Sequence, residues 1–215
     1  TYQGIELTVK QVHPYACYRN KHIKDVQLTL TGNVGNYAFY DCDELTTANI
    51  ANTSTIGNYV FYDCKALTTA TLGTQVTGIG QYCFSGCTKL EGITIPNSVK
   101  TIGQYAFQNC SSMAQAKMGT GVSTIATYTF TGCSKLTNMQ IGTKVGTIDT
   151  YAFQNCTSLA EIVIPQSVTK INNYVFYGCT ALKDVSIADR NTILTLGSNG
   201  SSPLFSSCPL ETVYI

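Results

Sequence analysis

Hydrophobic residues along this chain recur at a nearly constant interval. Counting from a hydrophobic residue followed three places later by tyrosine, repeats open at Val12, Val34, Ile56, Ile79, Ile102, Ile125, Ile148 and Ile171. The first two intervals are 22 residues and the other five are 23. Every unit carries the tyrosine, from Tyr15 to Tyr174, and seven of the eight phenylalanines fall two residues beyond it, from Phe39 to Phe176. Self-similarity at such a period marks a stacked array in which each unit touches only its neighbours.

The unit opening at Ile79 shows what one repeat must do. Its apolar positions are Ile79, Cys83, Phe84, Cys87, Leu90, Ile93, Ile95 and Val99. Leu90-x-x-Ile93-x-Ile95 ends in the period-2 alternation of a short strand, which Pro96 stops. From Tyr82 to Cys87 the apolar spacing is one and four, which predicts a single helical or 3₁₀ turn. Neither element buries its apolar side alone. Stacking the units buries both, with parallel strands ~4.8 Å apart.

The motif Ile102-Gly103-Gln104-Tyr105-Ala106-Phe107-Gln108-Asn109-Cys110 resembles the BspA-type leucine-rich repeat. So does Leu159-x-x-Ile162-x-Ile164-Pro165-x-Ser167-Val168. The resemblance implies an α/β fold, a right-handed superhelix with short parallel strands on its concave face and helical or 3₁₀ turns on its convex face. It covers residues 5 to 215 and predicts one repeat domain over 1–215. A partial unit occupies 1–11, eight units run from 12 to about 194, and a degenerate ninth unit fills about 195–215. The partial unit rests on Ile5 and Val9; the ninth unit rests on Leu196, Phe205 and Cys208, with an insertion around Ser198 to Pro203. Departures are local: Asn20 stands at a cysteine place, Cys17 at a phenylalanine place and Asn191 where valine is usual. Neither end has the polar cap that protects a solenoid core, so a fragment of a longer polypeptide is expected.

Composition narrows the function. Only 12% of residues are charged, and 13 basic against 12 acidic side chains leave a net charge of +1. No basic surplus exists to neutralise phosphates, which argues against nucleic acid as a partner. No run of residues is long and apolar enough to span a membrane. Of ten cysteines, Cys42, Cys64, Cys87, Cys110, Cys133, Cys156, Cys179 and Cys208 share one place in the repeat. Equivalent side chains in a stack point the same way, so these positions read as compact apolar fillers with free thiols rather than as bridges. No Cys-x-x-Cys or Cys/His cluster suggests a metal, and no cofactor is implied. His13 and His22 lie near Cys17, but the fold reading makes Cys17 a core substitute and places both histidines on bends. Carboxylates such as Glu91, Glu161, Asp184 and Glu211 fall singly on different strands, so catalysis is not expected.

Two surfaces remain for binding. The tyrosine column offers either a stacked aromatic platform for sugars or a cover over the phenylalanine core, and the second reading is preferred. Tyr18, Tyr40, Tyr62 and Tyr177 follow the phenylalanine place and are expected to face solvent. The strand positions that alternate outward form two further columns. One runs Asp25, Thr47, Thr69, Gly92, Gln115, Asn138, Glu161, Asp184, Thr212; the other runs Gln27, Asn49, Thr71, Thr94, Lys117, Gln140, Val163, Ser186, Tyr214. These columns vary where the buried ones do not. From them Asp25, Gln27, Asn49, Thr71, Thr94, Gln115, Lys117, Asn138, Gln140, Glu161, Asp184, Ser186 and Tyr214 are the candidate ligand-binding residues. The resemblance implies a secreted or cell-surface protein that adheres to host or matrix proteins, with carbohydrate left open as a ligand. A spacer holding another domain away from the cell envelope is the alternative.

Overall fold

The computed structural model describes residues 10–29, 31–188, 194–196 and 204–214. Residues 1–9 of the expected partial unit at 1–11, Asn191 and the insertion around Ser198 to Pro203 lie outside these residues.

Each coil contributes a long strand, and from the third coil onward a short one as well. The long strands are β1 (Asp25–Leu28), β2 (Thr47–Ile50), β4 (Thr69–Leu72), β6 (Gly92–Ile95), β8 (Gln115–Met118), β10 (Asn138–Gln140), β12 (Glu161–Ile164), β14 (Asp184–Ile187) and β16 (Thr212–Tyr214). The short ones are β3 (Thr55–Ile56), β5 (Gly78–Ile79), β7 (Thr101–Ile102), β9 (Thr124–Ile125), β11 (Thr147–Ile148), β13 (Lys170–Ile171) and β15 (Thr195–Leu196). All pairing is parallel and joins equivalent positions of successive coils, such as Gln27 with Asn49 and Thr94 with Lys117. Parallel neighbours need a crossover, and here the rest of the coil is that crossover. The alternation of Ile93 and Ile95 inward with Thr94 outward repeats along the stack.

The short ladder was not anticipated from sequence. It is two residues wide, too brief for a periodicity signal, yet it pairs Ile79 with Ile102 and Ile148 with Ile171. Isolated bridges from Val12 to Val34 and from Val34 to Ile56 extend it toward the first coil.

The third side of the coil corrects the expected architecture. Among the described residues there is no helix; the segment from the tyrosine to the cysteine is a succession of hydrogen-bonded turns. The reason lies in the backbone. Tyr105 has φ of 60° and Asn109 has φ of 57°. A right-handed helix needs negative φ at consecutive residues, and these two bracket only three. The donors then alternate. Tyr105, Phe107 and Asn109 give their N–H groups to carbonyls of the next coil at 3.2, 2.9 and 2.8 Å, whereas Ala106 and Gln108 bond back within their own turn. A helix would spend all of them internally.

The core is one continuous column. Phe61, Phe84, Phe107, Phe130, Phe153 and Phe176 are fully buried, and successive rings stack nearly parallel with centroids 5.2–5.6 Å apart. Each such ring, removed from water, stabilises by ~1.5–3 kcal/mol.

Candidate functional site

The long strands present their outward residues as registered rows. Asp25 pairs with Thr47, Gln115 with both Gly92 and Asn138, Lys117 with both Thr94 and Gln140, Asn49 with both Gln27 and Thr71, and Ser186 with Val163. Register also places Tyr214 opposite Ser186. Asp25, Gln27, Thr71, Thr94, Gln115, Lys117, Asn138, Gln140 and Glu161 are exposed, while Asn49, Asp184 and Ser186 are half-buried. The two expected columns are therefore neighbours in space, on one side of the coils.

Glu161 and Asp184, consecutive members of one expected column on different strands, sit directly opposite one another in the β12–β14 register. One detail of this face was not legible in sequence. The Thr47 hydroxyl donates to the Asp25 carboxylate, so that row is tied at its start.

The long-strand ladder is also interrupted. It divides into β1-β2-β4, β6-β8-β10 and β12-β14-β16. The first break, between β4 and β6, coincides with the change of repeat length from 22 to 23 residues. A depression lies at each break. The first, of about 710 Å³, is lined by Thr71, Glu91, Gly92, Thr94, Gln115, Lys117, Asn138 and Gln140 together with Ala70, Leu72, Ile93, Pro96 and Ala116. The second, of about 560 Å³, lies across β10 and β12 and is more apolar, with Met118, Met139, Ile141, Ile162, Val163 and Pro165 in its wall. Asn138 and Gln140 line both. Gly92, in the wall of the first depression, lets the next strand approach closely: a Cβ there would lie 3.1 Å from the Gln115 carbonyl oxygen and 3.2 Å from its Cγ. Gly92 and Val163 stand in the outward columns but were not among the candidate residues.

The turn edge has a different chemistry. From Tyr15 to Tyr174 eight tyrosine rings stack face to face with centroids 4.4–5.0 Å apart. Their faces are spent on one another, so the interior of this row presents ring edges and not a flat platform for sugars. Tyr18, Tyr40 and Tyr62 form a second stack beside the first three. Tyr18 is exposed, and so is Tyr177; Tyr40 and Tyr62 are half-buried.

The thiols carry no catalytic arrangement. Each cysteine of the column, as Cys110 does to Phe84, donates from Sγ to the carbonyl of the phenylalanine-place residue one coil back, at 3.1–3.3 Å. Burial lifts the Cys83 and Cys110 thiols well above their ordinary value and pushes Cys133 up to about 12. Thiols raised in this way stay protonated and are poor nucleophiles; the Cys42 thiol is instead lowered, chiefly by its hydrogen bond with the Cys64 thiol. Asn20, at the cysteine place of the first unit, instead accepts from the backbone N–H groups of His22 and Ile23. Among the described residues no group of three or more His, Cys, Asp or Glu side chains is placed to hold a metal, and no helix is long and apolar enough to cross a membrane.

Comparison with known proteins agrees with this architecture. The family model of the BspA-type leucine-rich repeat region matches residues 4–114 and 102–215. A leucine-rich repeat protein from Bacteroides ovatus is similar over 99% of this chain, with 27% identity and a TM-score of 0.69, and this chain spans 60% of that protein's length. A T. pallidum leucine-rich repeat protein shares 24% identity and a TM-score of 0.69 over 80% of this chain and 81% of its own. One from Eubacterium ventriosum shares 16% identity and a TM-score of 0.54 over 95% of this chain and 84% of its own. A search of curated proteins finds no match. With stacked parallel coils, the tyrosine and phenylalanine columns and a family match along nearly the whole length, the chain belongs to the BspA-type leucine-rich repeat family.

Proposed function

We propose that residues 1–215 form one repeat domain that acts as a non-catalytic protein-recognition module of a secreted or cell-surface protein, in adhesion to host or matrix proteins. Leucine-rich repeat domains are in general protein-interaction modules, and the fold is typically non-catalytic. The observation that carries the reading is the registered outward face of the long strands. It gathers side chains that packing leaves free, most of them neutral amides and hydroxyls, into one surface with two depressions. Such groups select a partner by hydrogen-bond geometry and shape more than by charge. Low overall charge suits an extracellular surface.

The test is binding of the soluble domain to a panel of immobilised extracellular-matrix proteins by surface plasmon resonance. Replacing Gln27, Asn49, Gln115 and Gln140 together by lysine is expected to abolish binding. The same number of lysines on the turn edge, at Asn109, Asn155, Gln108 and Gln154, is expected to leave it intact. Equal retention by both variants would remove the long-strand face from consideration.

A further inference from the structure

We infer that the two depressions form one composite recognition trough whose occupant is an extended protein segment carrying a hydrophobic side chain about three residues from a carboxylate. This inference rests on the reading that the long-strand face binds, and it specifies the partner's chemistry.

The anomaly is Val163. It occupies the outward place filled by Gln27, Asn49, Thr71, Thr94, Lys117, Gln140 and Ser186 in other coils. At 60% exposure it is the most exposed large hydrophobic among the described residues. An isolated exposed valine needs no explanation. This one lies in the wall of a depression that already contains Met139, Ile141 and Pro165. A concave apolar surface on an otherwise amide-rich face is the geometry in which a buried hydrophobic anchor contributes most to binding.

The other half of the trough supplies the opposite preference. Lys117 lines the first depression and, among the described residues, forms none of the ion pairs; those involve Arg19, Lys21 and Lys183. Its registered neighbours Thr94 and Gln140 are neutral. The one carboxylate in that lining is Glu91. A partner carboxylate at Lys117 would also find amide donors at Gln115, Asn138 and Gln140.

Geometry joins the halves. Asn138 and Gln140 of β10 belong to both linings, so the two depressions meet along that strand. Lys117 and Val163 occupy the same column two coils apart, which is about 10 Å at strand spacing. An extended segment in polyproline II geometry advances ~3.1 Å per residue and returns to the same face every third residue, so about three residues cover that distance. A protein segment is favoured over a glycan because Val163, Ile141 and Pro165 form an apolar wall suited to a hydrophobic side chain, beside the polar Thr120, Thr137, Thr143 and Glu161 of the same lining.

Panning a random twelve-residue phage-displayed peptide library against the folded domain tests this directly. Enriched peptides are expected to pair a large aliphatic or aromatic residue with Asp or Glu two to four positions away. Their affinity should fall at least tenfold on Val163→Lys and on Lys117→Glu, be largely kept by Val163→Leu, and be unchanged by Gln27→Lys or Asn49→Lys. All four positions point outward, and thermal melts checked against the parent confirm folding. Peptides sensitive to Gln27→Lys and Asn49→Lys, but indifferent to Val163→Lys and Lys117→Glu, would overturn the trough while leaving the strand-face reading intact. Peptides indifferent to all four, no enriched sequence, or binding on a glycan array abolished by Val163→Lys would each overturn it.

Discussion

The turn edge and the long-strand face are built from the same coils and follow opposite rules. Along the turn edge the coils repeat tyrosine, phenylalanine and cysteine, except that Cys17 and Asn20 take the last two places in the first coil and the ninth has no tyrosine. Each of these is locked to its neighbours by ring stacking or a thiol hydrogen bond. Along the strand face the backbone repeats but the side chains do not, because they pack against nothing that fixes them. The difference shows where sequence identity is a structural requirement and where it is free to encode a partner.

Alkaline pH should separate the two regions most widely. The buried thiols at Cys83, Cys87, Cys110, Cys133 and Cys156 are all raised from an ordinary value of 9.0. Their protonated form is the one that folding favours, so their contribution is whole below pH 9.0 and is lost as pH rises toward the folded values, about 12 for Cys133. Each thiol kept protonated costs about 1.4 kcal/mol of stability per pH unit in that window. Denaturant midpoints measured from pH 8 upward should fall steeply. A Cys133→Ala variant should fall less steeply, and a flat profile would contradict the burial of the column.

Core truncation comes next. Phe107→Ala should cost ~3–5 kcal/mol, since Phe107 is fully buried between Phe84 and Phe130. Phe205→Ala should cost roughly half as much. Phe205 is only half-buried and stacks on Phe176 alone among the described residues. Equal losses in urea titrations would show the ninth coil to be packed like the fifth.

The tyrosines give a smaller and sharper contrast. Tyr105 holds a left-handed backbone that non-glycine residues avoid, and its ring stacks between Tyr82 and Tyr128 at 4.4 and 4.7 Å. Tyr105→Gly loses the ring but relieves the backbone; Tyr105→Ala loses the ring and keeps the strain. The glycine variant is therefore expected to be more stable than the alanine variant by about 1 kcal/mol. The reverse order by thermal melting would assign the strain elsewhere. Smallest of all, Thr94→Ala on the strand face should change stability by less than about 0.5 kcal/mol.

Much of this architecture could be read from residues alone. The buried columns, the long strands and their register followed from the spacing of Leu90, Ile93, Ile95 and their equivalents. The helical turn did not survive, because apolar spacing reports which side chains point inward and is silent on the sign of φ. A signal was present: Asp41, Asp63, Gly86, Asn109, Gly132, Asn155 and Gly178 share one place, and Gly, Asn and Asp are the residues that tolerate the left-handed region. The tyrosine column gave no such warning. On the candidate face, register was legible but relief was not. The depressions lie where the ladder breaks: the first break coincides with the change of repeat length, whereas the second, between coils of equal length, has no periodic trace.

The alternation of donors along the turn edge has a further consequence for how such a chain can change length. Because every second amide is committed to the adjacent layer, a one-residue slip inside that edge would mispair all of them. The observed difference between 22- and 23-residue spacing falls instead in the loop between Ile50 and Ile56 as against Leu72 and Ile79. Duplicating or deleting an entire layer preserves every bond at the seam. Evolution can thus adjust the molecule's reach in steps of ~4.8 Å and leave the identity of whatever it grasps to be rewritten separately, one outward side chain at a time.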